Sequence, residues 1–172
     1  MKKIALLAIA AGASAAFAQP ATYLDLGVIG SGGTYIFNTD DSVLVTGGNM
    51  DTELGLWDSV GTLLDADDDG SDTPGLWSEI EIELAEGVYW LAVSEFNSVF
   101  EDGWVNSGSA LEDGESGTAI MNINGAFAGS LEFSDTSDQE SAFFRVEVVP
   151  TPASASLLAL GGMAAGRRRR SA

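Results

Sequence analysis

Residues 79–93, Glu79-Ile80-Glu81-Ile82-Glu83-Leu84-Ala85-Glu86-Gly87-Val88-Tyr89-Trp90-Leu91-Ala92-Val93, decide the fold class. From Glu79 to Leu84 acid and aliphatic residues alternate without a fault, the period of a strand with one wet face and one buried face. That parity puts Ile80, Ile82 and Leu84 toward a core. Ala85-Glu86-Gly87 supplies a turn, and Val88 to Val93 is apolar on both faces, which predicts a central strand.

Working outward, the same signals recur. Thr34–Phe37 and Ser42–Thr46 flank the turn Asn38-Thr39-Asp40-Asp41, while Thr118–Asn124, Ser130–Phe133 and Ala142–Val149 supply later strands. Gly is frequent, at 21 residues, and no stretch of the body carries a convincing helical period. Short strands with turn signals every 8 to 12 residues predict a single antiparallel β-sandwich over residues 19–149. Asn97 to Ser116 carries the weakest strand signal and reads as a long surface loop, with Trp104 folding back over a sheet edge or the core rim.

The 172 residues include 26 Asp+Glu against 7 Lys+Arg, with no His and no Cys. Without His or Cys there is no Ser-His-Asp triad, Cys nucleophile, zinc finger or disulfide frame. A net charge of −19 argues against nucleic acid, whose phosphates require Lys and Arg. The charges are also partitioned. All 26 acids fall between Asp25 and Glu147, where Arg145 is the lone cation, giving that body a net −25.

The other six cations belong to the two ends. Residues 1–18, MKKIALLAIAAGASAAFA, place Lys2 and Lys3 before an apolar stretch that closes on Ala16-Phe17-Ala18. That is the arrangement of a secretory signal peptide, with Gln19 as the new N-terminus and an uncleaved anchor as the alternative. After Val149 come Pro150-Thr151-Pro152, an uncharged apolar run from Ala153 to Gly166, and Arg167, Arg168, Arg169 and Arg170. As a helix the run would span about 21 Å, short of a roughly 30 Å hydrocarbon core. The expectation is transient membrane contact, with the arginines on the cytoplasmic side.

Residues 150–172 resemble a PEP-CTERM sorting signal, in which Pro-Glu-Pro precedes a short apolar helix and an Arg cluster; here Thr151 stands in the middle of the motif. The resemblance implies recognition by an exosortase-type membrane protease. It implies export to the cell surface, outer membrane or extracellular matrix of a Gram-negative bacterium, and a link to extracellular polysaccharide. Flanking helices are expected at both ends, one in the signal peptide and one short and apolar at the C-terminus.

Asp51 to Phe96 resembles the bacterial pre-peptidase C-terminal domain. The residues that carry this are Asp51, Thr52, Leu54, Leu56, Trp57, Asp58 and Gly61, then Leu63, Leu64, Asp67, Asp68, Asp69 and Gly70, and finally Ile82, Leu84, Gly87, Tyr89 and Trp90. That resemblance implies a jelly-roll-like sandwich with no catalytic activity of its own.

Asp65-Ala66-Asp67-Asp68-Asp69-Gly70 sets carboxylates at positions 1, 3 and 5 and Gly at 6, as a calcium loop opens. The expected ligands are Asp65, Asp67 and Asp69, with Asp72 or Glu79 as a substitute for the missing Glu at position 12, which is Leu76. A solvated acidic turn is the plainer alternative. Strand parity turns Trp57 and Trp77 outward, where they could stack on sugar rings. A carbohydrate-binding or adhesin module is therefore the second functional reading. A carboxylate hydrolase is the third, since Asp135-Thr136-Ser137 has no good second copy. The first reading is a non-catalytic structural or interaction module whose partners are the secretion machinery, the sorting protease and polysaccharide.

Overall fold

The computed structural model describes residues 18–71, 76–107, 116–134 and 141–150. Both expected flanking helices lie outside these residues, as do Asp72, Thr151, Pro152 and the arginine cluster. The described residues form an all-β fold of twelve strands. They are β1 (Leu24–Ser31), β2 (Gly33–Asn38), β3 (Val43–Leu44), β4 (Thr52–Asp58), β5 (Leu63–Asp67) and β6 (Glu79–Leu84), followed by β7 (Gly87–Glu95), β8 (Val99–Glu101), β9 (Val105–Ser107), β10 (Ser116–Ile123), β11 (Ala126–Ser134) and β12 (Ala142–Val149).

The first sheet has the order β1-β12-β7-β4-β5 and the second β11-β10-β2-β6, with β3 also on β10. Strand β7, apolar on both faces in the sequence, lies at the centre of the first sheet, as its composition requires. Strands β6 and β7 are antiparallel to their neighbours but belong to different sheets, so Ala85-Glu86 crosses between layers. Tyr89 braces that corner, its hydroxyl donating to Ala85 O at 3.1 Å.

The inner faces close on one core. Leu54, Leu56, Leu91, Val93, Phe144 and Val146 from the first sheet meet Tyr35, Phe37, Ile80, Leu84, Met121 and Phe133 from the second. Interdigitation of two apolar faces drives a sandwich together, and the parity of Ile80, Ile82 and Leu84 is as the alternation predicts. One pairing departs from an antiparallel plan. β1 runs parallel to β12, and its register slips between Asp25 and Gly27 and again between Val28 and Gly30. Gly27 and Gly30 sit at positive φ, 73° and 147°, so these two slips need glycine.

The first sheet carries a second apolar layer on its outer face. Residues 99–107 are a two-stranded hairpin, β8 with β9, rather than the surface loop the sequence predicts. The hairpin folds back onto β4, β5 and β7, and Trp57, Trp90, Ala92 and Trp104 form a cluster with Leu63, Phe100 and Phe143. Trp57 Nε1 donates to Glu101 O at 2.8 Å, Leu63 N to Asp102 Oδ1 at 2.8 Å, and Gly103 N to Gly61 O. Trp104, at φ 58°, tucks its ring against Trp90.

Candidate functional site

Strand parity sorts the side chains of β4. Thr52, Leu54 and Leu56 point into the core, so Asp51, Glu53, Gly55 and Trp57 line the outer face. The ladder sets Gly55 opposite Ala66 and Ala92, and Glu53 opposite Ser94. One step further along β5, Asp68 comes beside Glu53. A cleft of about 330 Å³ opens here, with Glu53, Asp67 and Asp68 on one side and Ser98, Val99 and Phe100 of the hairpin on the other.

Asp51, Asp68 and Asp69 each bring a carboxylate oxygen to within 4.8 Å of the other two. Glu53 is 8% exposed. Burial, then the charges of Asp68 and Asp51, push its carboxyl up to about 6, against the opposing pull of the Asn97 and Ser98 backbone N–H groups that bond it. Burial also raises Asp51, helped by Asp69 and Asp68, and raises Asp68, helped by Asp69 and Asp67. The one cation among the described residues, Arg145, is engaged elsewhere, 2.9 Å from Asp25 and 3.6 Å from Glu147.

A carboxyl raised in the folded state favours folding most below its ordinary value of about 4.5, and that contribution is lost as pH rises through about 6. In chelator-treated buffer, stability attributable to Glu53 should therefore rise as pH falls across this window. Urea midpoints at pH 7.5 and 4.5 should converge in Glu53→Gln relative to the parent; an unchanged difference would refute the assignment.

The expected calcium residues are not brought together as a set. β5 ends at Asp67, so Asp65 and Asp67 stay on the ladder opposite Leu56 and Leu54, while Asp68 and Asp69 lie in the bend beyond it. Asp65 Oδ1 accepts from Ala66 N at 2.9 Å. Asp67 Oδ2 accepts from both Gly70 N and Glu79 N at 2.8 Å, tying the end of β5 to the start of β6. Of the expected residues only Asp69 joins the carboxylate cluster, and Asp72 lies outside the described residues. Asp51 and Glu53 escaped the sequence reading because their partners come from strand pairing. The signal that could have found them is their shared parity with Trp57.

The two tryptophans are also differently placed from expectation. Trp57 does face outward from the core, but the hairpin covers it and it is fully buried. Trp77 precedes β6, so the parity of that strand does not extend to it; it is buried, with Nε1 donating to Ser42 O at 3.2 Å. Neither indole offers a face for stacking on a sugar.

Comparison with protein families, with curated proteins and with solved structures finds no match to this chain.

Proposed function

We propose that this chain is the precursor of an exported, non-catalytic β-sandwich protein of a Gram-negative cell surface or extracellular matrix. A signal peptide, residues 1–18, directs export. The segment from Pro150 to Arg170 is read by an exosortase-type membrane protease, as its resemblance to PEP-CTERM signals implies. The observation that carries this reading is the match between charge partition and fold limits. Strand β1 starts at Leu24 and β12 ends at Val149, so the acidic sandwich completes its core between the two cationic ends. Pro150 has no N–H to extend the ladder and is exposed where the chain leaves β12. Removing either end would leave every strand of the described residues intact.

The reading of a structural or interaction module follows from how the body uses its polar groups. Glu53 anchors the hairpin backbone, Asp67 joins two edges, and Arg145 holds β1 to β12 through Asp25. A net −25 on the body keeps such a module soluble and repels it from anionic surfaces.

The test is intact-mass analysis of the chain expressed in a Gram-negative host that has an exosortase-type protease. The expected surface product begins at Gln19 and lacks Arg167 to Arg170, and replacing the four arginines by alanine should leave the tail attached. An uncut 17.8 kDa chain in the cytoplasmic fraction would overturn the proposal.

A further inference from the structure

The two open sheets end on four strands, β1 and β5 in the first and β11 and β6 in the second. An edge strand presents unpaired backbone N–H and C=O groups, and folded proteins blunt it with charge, bulges or a covering segment. Three of the four are blunted. β6 carries Glu79, Glu81 and Glu83 at alternate positions. β5 carries Asp65 and Asp67, the latter bonded to Glu79 N, and its Leu63 N is taken by Asp102 of the hairpin. β1 slips register twice, at Gly27 and Gly30.

β11 differs. It runs nine residues, Ala126–Ser134, of which only Glu132 is charged. Its one slip against β10 lies near the turn, at Met121 and Asn122, so Gly129 to Ser134 is regular. Phe127 is 67% exposed, more than any other large apolar side chain among the described residues. Gly129 lets Leu24 and Leu26 of β1 lie against it, where a Cβ would stand 2.7 Å from Leu26 Cδ2. β1 therefore braces β11 from the core side without pairing to it. Among the described residues no other backbone segment bonds its free edge between Ala126 and Phe133.

We propose that β11 is a self-association edge, which pairs antiparallel with β11 of a second copy across a two-fold axis. Charge selects the place. Two bodies of net −25 repel one another, and pairing brings backbones to within about 4.8 Å. At β6 a like strand would set glutamate against glutamate. In β11 every axis except one through Glu132 itself sets that single acid opposite a neutral residue. Symmetry selects the partner, because an isologous pair closes on itself. It joins the two second sheets into one continuous sheet, and the blunted edges stop growth into a fibre.

The test is sedimentation of the full chain and its variants in one detergent buffer over a range of concentration, with amide exchange followed on residues 126–134. A monomer–dimer equilibrium is expected, with exchange in β11 slowing as concentration rises and exchange in β6 unchanged. Both copies are anionic, so association should strengthen as sodium chloride is raised. Phe127→Glu and Ser130→Glu, both at exposed side chains, should each weaken the dimer by about tenfold or more. Val60→Glu, which adds the same charge elsewhere, should not. Every variant keeps the same two ends, so a dimer that survives both β11 substitutions forms elsewhere and overturns the proposal. A monomer throughout the range, or a dimer that salt dissociates, overturns it equally.

Discussion

Trp57→Ala is expected to lower the stability of the sandwich by about 3–5 kcal/mol, the range for deleting a fully buried large aromatic. The ring is wholly enclosed, edge-on to Phe100 at 5.4 Å between centroids and tilted against Phe143 at 6.4 Å. Its Nε1 also holds the backbone of Glu101, so truncation leaves a cavity and frees a carbonyl. The loss should be uneven. The inner core between the sheets keeps all its members, whereas the β8–β9 hairpin loses its central contact. Urea unfolding measures the total, and amide exchange over residues 97–107 should accelerate far more than over β7 or β12. Val60→Ala, at a side chain 66% exposed, should change stability by less than about 0.5 kcal/mol. A Trp57→Ala loss below about 1 kcal/mol would mean that the outer layer does not pack as described.

Gly55→Val should be the other severe change, for the opposite reason. A Cβ at Gly55 would stand 2.6 Å from Trp57 Cη2 and 2.8 Å from Phe100 Cγ. The backbone there is ordinary extended strand, so the cost is steric and not conformational. Overpacking of this kind costs roughly 1–3 kcal/mol, and a branched side chain here should fall at or above the upper end. The two rings can retreat only by lifting the hairpin from the sheet. Phe100→Ala should therefore soften the effect, and the double variant should be markedly less destabilised than the two single losses added together. Strict additivity in a thermal or urea series would show that Phe100 does not rest on Gly55.

Both predictions concern a layer that the sequence disguises. Strands β8 and β9 are three residues each, too short for a period to show, and they lie among Gly, Asp and Ser that signal turns. Parity correctly turned Trp57 away from the inner core. It could not say that residues almost fifty positions downstream would cover the ring. The acidic site was hidden for a related reason. The run from Asp65 to Gly70 looks like a linear cation loop, yet β5 continues through Asp67 and holds Asp65 and Asp67 on the ladder, while only the bend after it carries Asp68 and Asp69 toward Asp51.

What the sequence determined by itself is whatever is written locally. The alternation in β6 set one apolar face, the doubly apolar β7 required the middle of a sheet, and the acid-to-cation partition separated a body from two ends. Those features depend on residues within a few positions of one another, where backbone geometry alone fixes which way a side chain points. The tertiary structure decided what required distant segments to meet. It set β1 parallel to β12 across more than a hundred residues, laid a hairpin over Trp57, and brought Asp51 to Asp68 and Asp69. Such meetings are chosen by the burial of whole faces, and no local pattern records which partner a face will find.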